Sequence, residues 1–128
     1  MDVGSKRTGV AISDELGVTA QALETVDSKK TDRLFQLIGE YKPEEIVVGL
    51  PLNMNGSEGP GAKEVISFVE VLKKDLSIPI KMWDERLTTM QVEKTLIGAG
   101  VSRRKRRKAV DKLAAQLILQ SYLDSKNA

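Results

Sequence analysis

One continuous apolar run, IVVGLP at residues 46–51, constrains the fold of this chain more than any other segment. The run is too short for a typical helix, and it lacks the alternation of a strand with one wet face. Uninterrupted apolar strands are typical of parallel sheets that are covered on both faces. We therefore expect an α/β fold in which helices pack on both faces of a sheet.

The segments on either side of this run have a helical period. Leu34, Leu37, Ile38 and Tyr41 are spaced i, i+3, i+4 and i+7, which predicts a helix that Ser28 caps. A glycine-rich loop at 52–61 precedes a second helix with the same spacing, which ends near residue 74. Residues 78–83, IPIKMW, then predict another strand.

The ends of the chain complete the predicted order of elements. RTGVAISD at 7–14 and VTAQALETV at 18–26 predict a hairpin, and a first strand at residue 1 would be so short that we expect further apolar residues before it. Thr88 and Gln91 have capping-box spacing for a helix that ends at Gly98 or Gly100. A last helix runs from a cap at Ser102 to about residue 123. The order β-β-β-α-β-α-β-α-α predicts one domain over residues 1–128, with a mixed five-stranded sheet that starts antiparallel and continues with parallel strands.

Two residue types are missing, and their absence limits the chemistry. The 128 residues include no cysteine and no histidine, which excludes disulfides, thiol nucleophiles and imidazole bases or ligands. An enzyme of this composition would rely on carboxylates, lysine, tyrosine or a bound metal. Because no apolar run approaches about 20 residues and no signal peptide is visible, we expect no membrane span and a cytoplasmic protein.

Acidic residues occur near the carboxyl ends of predicted strands, where α/β sheets bind their ligands. Asp2 lies on the first strand, Asp84 and Glu85 follow the strand at 78–83, and Asp111 flanks the apolar stripe of the last helix. Carboxylates that cluster repel one another and need a cation, and oxygen ligands without histidine favour Mg²⁺ or Mn²⁺. The spacing alone leaves a second interpretation open, in which each acid is a solvated surface group or a cap.

The chain carries six consecutive cations, RRKRRK at residues 103–108. The net charge of the whole chain is only +2, so the remainder is net negative. If Ser102 caps the last helix, these cations occupy its N-terminal end, where the helix dipole disfavours them by about 0.3–1 kcal/mol each. A nucleic-acid backbone would offset that cost, and the contacts would be to phosphates more than to bases. A solvated basic face remains the alternative.

Four blocks together resemble the YqgF family, also called RuvX, of RNase H-like nucleases. They are DVGSKRTGVAISDELG at 2–17, VVGLPLNMNGSEGPGA at 47–62, WDERLTTMQVEKTL at 83–96 and SRRKRRKAVDKLAAQLILQSYLDS at 102–125. The family is described as an endonuclease that trims the 5′ end of the 16S rRNA precursor, and an older label is Holliday junction resolvase. The resemblance thus implies two-metal-ion hydrolysis of phosphodiester bonds in structured RNA or branched DNA.

The resemblance also implies roles for individual residues. Asp2 and Asp111 match two of the three metal-binding catalytic acids, and Glu85 is the expected third, with Asp84 as the alternative. Adjacent strand residues point to opposite faces, so these two neighbours are not expected to serve equally. The residues expected to contact nucleic acid are Lys6, Arg7, Arg86, Arg103, Arg104, Lys105, Arg106, Arg107 and Lys108.

Two further classes of function remain open. The D-x-G-x-x-x-x-G turn at the start of the chain is similar to a phosphate loop of actin-like ATPases, but those proteins need two such domains and 128 residues are too few. A nucleic-acid-binding scaffold without catalysis is the other possibility. Binding of ATP would favour the first class, and binding without cleavage would favour the second. Nothing in the sequence indicates an oligomeric state.

Overall fold

The computed structural model describes residues 1–86, 100 and 102–128, and for residues 103–112 it describes the backbone alone. The predicted helix between Thr88 and Gly98 lies outside the described residues. The elements in chain order are β1 (Asp2–Val3), β2 (Arg7–Ser13), β3 (Ala20–Asp27), α1 (Asp32–Tyr41), β4 (Ile46–Leu50), α2 (Pro60–Asp75), β5 (Ile80–Asp84) and α3 (Arg103–Lys126).

The first three strands form an antiparallel sheet in the order β1-β2-β3, as the hairpin pattern predicts. The turn between β2 and β3 is held by Asp14, whose carboxylate accepts hydrogen bonds from the amides of Val18 (2.8 Å) and Thr19 (3.2 Å). Gly17 in the same turn has a φ of +68°, a conformation that favours glycine. Local turn chemistry therefore explains this connection.

Strands β4 and β5 form a parallel pair, in which Ile46 lies opposite Ile80 and Leu50 lies opposite Asp84. Two hydrogen bonds connect β4 to the residue before β1. The amino group of Met1 donates to the carbonyl of Val47, and the amide of Gly49 donates to the carbonyl of Met1 at 3.0 Å. The start of the antiparallel sheet therefore lies directly against β4.

Helices pack on opposite sides of β4, and consecutive residues of the strand show this. Val48 is fully buried in an apolar cluster with Val65 and Val69 of α2 and Leu34 of α1. The next residue, Gly49, faces α3, because a Cβ at position 49 would lie 2.6 Å from Ile118 Cδ1. This alternation confirms that the IVVGLP segment is a strand covered on both faces.

The boundaries of α1 and α3 test two predicted caps. Ser28 does not cap α1, which begins at Asp32 after Thr31, because the hydroxyl of Ser28 is committed to the β1–β2 turn. Helix α3 begins at Arg103, directly after Ser102, as predicted, and continues to Lys126, one turn beyond the expected end. Within the described residues, no helix is both long enough and apolar enough to cross a bilayer.

Candidate metal and nucleic-acid site

The carboxyl ends of β4 and β5 and the start of the chain meet at one edge of the fold. Strands β4 and β5 are parallel, and the amide of Glu85 continues their pairing by donating to the carbonyl of Leu50 at 3.2 Å. Since Met1 is hydrogen-bonded beside Val48, its neighbour Asp2 lies level with this same edge. The topology thus brings Asp2 and Glu85 together although 82 residues separate them.

Gly49 leaves room for the Glu85 side chain on the α3 face of β4. A Cβ at position 49 would lie 2.7 Å from Glu85 Oε1 and 2.8 Å from Glu85 Cδ. The carboxyl group therefore occupies space that any other residue at position 49 would fill. There Glu85 forms a side-chain hydrogen bond with Asp2, in which the protonated Glu85 carboxyl donates. Both acids are half-buried.

This environment raises the pKa of Glu85 to about 7. Burial is the largest cause, and the negative charge of Asp2 and the hydrogen bond with Asp2 add to it. The nearby amino group of Met1 acts in the opposite direction, since its positive charge favours the ionised carboxylate. Two acids that share a half-buried position and raise the pKa of one of them are suited in their chemistry to bind a cation.

Asp84 is directed to a different partner. Its carboxylate accepts hydrogen bonds from Arg86 Nε on Oδ1 at 3.1 Å and from Arg86 Nη2 on Oδ2 at 2.7 Å, a bidentate arrangement. This pairing lowers the pKa of Asp84 below its usual value. The same carboxylate also accepts a hydrogen bond from the backbone amide of Arg86 at 3.0 Å, so Asp84 is directed to Arg86, whereas Glu85 is directed to Asp2.

Helix α3 packs beside the two acids. A Cβ at position 9, which pairs with Asp2 in the sheet, would lie 3.4 Å from Ala115 Cβ and 3.8 Å from Asp2 Cβ. The backbone at position 111 lies in α3, one turn before Ala115. The side chain of Asp111 lies outside the described part of the chain.

The carboxylates of Asp2 and Glu85 are chemically suited to a hard divalent cation. The described side chains do not include the third predicted acid. Two carboxyl groups meet, and oxygen ligands of this kind suit Mg²⁺ or Mn²⁺. Among the residues that the structure describes, no group of three or more acidic, cysteine or histidine residues is placed to hold a metal ion together. The described chain therefore supplies two of the three acids that the sequence predicts.

Cationic residues lie at the same edge. Lys6 and Arg7 are exposed around the turn that joins β1 to β2, where the amide of Gly4 donates to the Arg7 carbonyl at 2.9 Å. A Cβ at position 4 would lie only 2.6 Å from the Arg7 carbonyl oxygen, so the turn requires glycine. This closeness explains the glycine in the first block of the sequence.

Lys29 was not among the predicted contacts, yet the structure places it with Lys6 and Arg7 around one shallow depression. Ser28 joins the two segments, since its hydroxyl donates to the Gly4 carbonyl at 2.6 Å and lies 2.8 Å from the hydroxyl of buried Thr8. The sequence offered a weak signal, because SKK at 28–30 repeats the charge of SKR at 5–7. Only the fold brings the two together.

The other predicted cationic residues have different outcomes. Arg86 is engaged with Asp84 and with the carbonyl of Met54, to which Nη1 donates at 3.1 Å. The backbone of residues 103–108 forms the first turns of α3, as expected, and the side chains of this basic run lie outside the described part of the chain.

A sequence profile and the similar curated proteins point to the same family. The sequence profile of the RuvX family, described as Holliday junction resolvase, matches residues 1–125. Relatives named "Putative pre-16S rRNA nuclease" include those of Geobacillus kaustophilus, 54% identical over 98% of this chain and 96% of the relative, and Listeria innocua, 53% identical over 99% and 96%. The relative from Desulforamulus reducens is 53% identical over 98% of this chain and 94% of its own.

A solved structure is also similar, at lower identity. It is the crystal structure of Fowlpox virus resolvase in complex with substrate Holliday junction DNA, with 16% sequence identity and a TM-score of 0.44. The similarity covers 97% of this chain and 94% of the viral chain. On the profile match over residues 1–125 and the similarity to the bacterial relatives, the chain belongs to the RuvX family.

Proposed function

We propose that this protein is a metal-dependent endonuclease that hydrolyses phosphodiester bonds in structured nucleic acid. The observation that carries the proposal is the meeting of the Asp2 and Glu85 carboxyl groups over Gly49. Two acids placed together by tertiary structure, in a half-buried position that raises the pKa of one of them, would be costly without a cation to bind. Exposed cationic residues at the same edge are suited to the phosphates of a substrate.

The fold that would hold this site is a single RNase H-like domain. The hydrogen bonds of Met1 with Val47 and Gly49 support a continuous five-stranded sheet in the order β3-β2-β1-β4-β5. In such a sheet β1 is central and parallel to β4 and β5. Asp2 then lies across Gly49 of β4 from the end of β5, where Glu85 can reach it.

Asp111 is the proposed third acid. Position 111 precedes Ala115 by one turn of α3, and residues i and i+4 share a helix face. Ala115 approaches position 9, next to Asp2. The spacing therefore supports a contribution from position 111 to the same site.

Asp2, Glu85 and Asp111 would hold Mg²⁺ or Mn²⁺ through carboxylate oxygens. Ions held there would supply Lewis-acid activation of a water and stabilisation of the leaving oxygen of a phosphodiester. The chain itself holds the carboxyl groups in register and limits their access to water. Lys6, Arg7 and Lys29 would bind substrate phosphates beside the acids and orient the scissile bond. Without histidine, the chain has no imidazole to serve as a general base.

The proposed substrate is the precursor of 16S rRNA, because the similar bacterial relatives carry a name that refers to it. Processing of this RNA would place the protein in the bacterial cytoplasm. The alternative substrate is a four-way DNA junction, which the description of the family model favours. Both substrates present closely spaced phosphates, so a basic surface serves either one.

A direct comparison of the two substrates tests the proposal. The protein is incubated with a 16S precursor fragment or a four-way DNA junction of equal concentration, in the same buffer with Mn²⁺ and with EDTA. We expect Mn²⁺-dependent cleavage of the RNA at discrete positions. Faster cleavage of the junction would identify the alternative substrate, and absence of cleavage of both would reject the endonuclease.

The matched control uses a carboxylate elsewhere in the protein. Asp2→Asn is expected to abolish Mn²⁺-dependent cleavage while the protein remains folded. Asp75→Asn, at the end of α2 that leads into the start of β5, removes the same charge at the opposite edge of the fold. This variant should cleave at the rate of the unmodified protein.

A further inference from the structure

We propose that Asp84 and Arg86 are positioning residues that hold the loop between β4 and α2 as a substrate-contacting rim of the site. This proposal rests on the proposed nuclease function and deepens it. It assigns Asp84 a role other than metal binding. It also identifies loop 52–59 as a further part of the substrate-binding surface, distinct from the acids and from the basic run.

Arg86 connects the end of β5 to the loop. The guanidinium of Arg86 is held on one side by the bidentate pair with Asp84. On its other side, Nη1 donates to the carbonyl of Met54 at 3.1 Å. A planar guanidinium can make these contacts at once, whereas a lysine ammonium cannot reproduce the fork. The residue after Glu85 in sequence is thereby tied to a loop more than 30 residues away.

The loop is also ordered by hydrogen bonds among its own residues. The amide of Asn53 donates to the Ser57 carbonyl at 2.9 Å, and the amide of Gly56 donates to the Asn53 carbonyl at 2.8 Å. The side chain of Asn55 accepts from both the amide (3.0 Å) and the hydroxyl (2.6 Å) of Ser57. Gly56 has a φ of +87° and faces Arg86, since its Cβ position lies 3.6 Å from Arg86 Nη1. The loop is preorganised, so binding would cost little entropy.

The loop exposes its side chains at the edge of the fold that carries the two acids. Residues 53–58 are all exposed, and the side chain of Met54 is 70% exposed although it is apolar. The loop follows directly from the carboxyl end of β4, the edge at which Asp2 and Glu85 meet. Amide groups and a flexible apolar side chain suit contacts with riboses and unstacked bases, which a patch of lysine and arginine does not make.

The two neighbouring acids, Asp84 and Glu85, have different partners. Glu85 contacts Asp2 on the α3 face of β4, while Asp84 is engaged with Arg86 and, through it, with the loop. A metal ligand and a loop anchor would respond differently to the loss of charge. The distinction is therefore open to measurement.

The experiment compares Asp84→Asn, Arg86→Lys and Glu85→Gln. Hydrogen exchange of the amides of Asn53, Gly56 and Ser57 reports on the loop, and titration with Mn²⁺ reports on the metal site. We expect at least 10-fold faster exchange of these amides in Asp84→Asn and Arg86→Lys, with Mn²⁺ affinity within 2-fold of the unmodified protein. Glu85→Gln should show the reverse: at least 10-fold weaker Mn²⁺ binding and unchanged exchange of the loop.

Steady-state cleavage adds a readout that a general structural effect would not produce. The two loop-anchor variants should raise KM about 10-fold with kcat within 3-fold, because substrate contacts are lost and the metal site is kept. Met54→Ala should raise KM in the same direction without altering exchange of the loop amides.

A matched ion pair provides the control. Arg33 and Glu24 form the same kind of bidentate contact, with both donor–acceptor distances 2.7 Å, between α1 and β3. Glu24→Gln breaks this pair and should leave loop exchange, Mn²⁺ affinity and KM unchanged.

Two results would overturn the proposal. One is an Asp84→Asn variant whose Mn²⁺ affinity falls as far as that of Glu85→Gln, which would make Asp84 a ligand. The other is unchanged loop exchange or unchanged KM in both anchor variants. If the unmodified protein cleaves no substrate, the nuclease proposal fails by itself. Loop exchange, Mn²⁺ titration and the affinity for uncleaved precursor RNA, in place of KM, then decide the role of Asp84.

Discussion

The carboxyl group of Glu85 occupies the space above Gly49, with Oε1 only 2.7 Å from where a Cβ at position 49 would be. The same position lies 2.6 Å from Ile118 Cδ1, so the glycine also sets how closely α3 approaches β4. One missing side chain thus shapes both the acidic site and the packing of the helix that carries Asp111.

Gly49→Ala is expected to displace Glu85 and to strain the contact with Ile118. Overpacking of this kind costs about 1–3 kcal/mol, and the displaced carboxyl should weaken Mn²⁺ binding at least several-fold. Urea denaturation and Mn²⁺ titration measure the two effects. The control is Gly39→Ala within α1, where a Cβ meets no atom within 4 Å. That change should stabilise the protein by up to about 1 kcal/mol.

The raised pKa of Glu85 predicts how stability depends on pH without metal. Its pKa is about 7 in the folded protein, against 4.5 for an ordinary glutamate. A carboxyl with a raised pKa favours folding most below pH 4.5, and this contribution is lost as pH rises through 7. The loss corresponds to an upper limit of about 3 kcal/mol.

Glu85→Gln isolates this effect. Unfolding free energies in EDTA, measured from pH 5 to 8, should fall more steeply for the unmodified protein than for the variant. The comparison is needed because the buried amino group of Met1, whose pKa is lowered to about 6, titrates in the same range. Saturating Mn²⁺ should reduce the difference, since a cation favours the ionised carboxyl. Parallel curves in EDTA would contradict the assigned environment.

Asp111→Asn tests whether α3 contributes to the site. If Asp111 is the third ligand, Mn²⁺-dependent cleavage should fall by at least about 100-fold while the circular dichroism spectrum and urea midpoint stay close to those of the unmodified protein. Asp124→Asn makes the same chemical change near the exposed end of the same helix and should leave cleavage intact. Equal rates for the two variants would remove Asp111 from the site.

The salt dependence of RNA binding tests the two cationic surfaces separately. Replacing Lys29 by alanine should reduce the slope of log affinity against log salt concentration by about 0.7–0.9. Replacing the four arginines of the basic run should reduce it by roughly 3 and weaken binding to all sequences alike. These arginines are Arg103, Arg104, Arg106 and Arg107. Lys74→Ala, at the end of α2 that leads into the start of β5, should not change the slope.

An unchanged slope would exclude the substituted residues from the binding surface. If only the variant of the basic run changes the slope, Lys29 does not contact the RNA. The Ser28 contacts would then add no phosphate contact from Lys29 to those of Lys6 and Arg7. The measurement uses uncleaved RNA in EDTA, so it is independent of catalysis.

The sequence alone predicted the elements that local patterns specify. The apolar run of β4, the hairpin of β2 and β3 and the start of α3 after Ser102 depend on periodicity and turn residues within a few positions. The absence of histidine and cysteine limited the chemistry to carboxylates, lysine, tyrosine or a bound metal. The family blocks pointed to Asp2, Glu85 and Asp111. The alternation of strand residues indicated that Asp84 and Glu85 would differ, because neighbours point to opposite faces.

Tertiary structure decided which partner each side chain meets. Glu85 reaches Asp2 because β5 lies parallel to β4 and Gly49 leaves space, whereas Asp84 lies on the side where Arg86 reaches the loop carbonyl of Met54. Ser28 has the sequence position of a helix cap but bonds instead to Gly4, 24 residues earlier. Such contacts join residues far apart in the chain, so no local pattern contains them. Their geometry depends on the register of the strands, which the packed core determines.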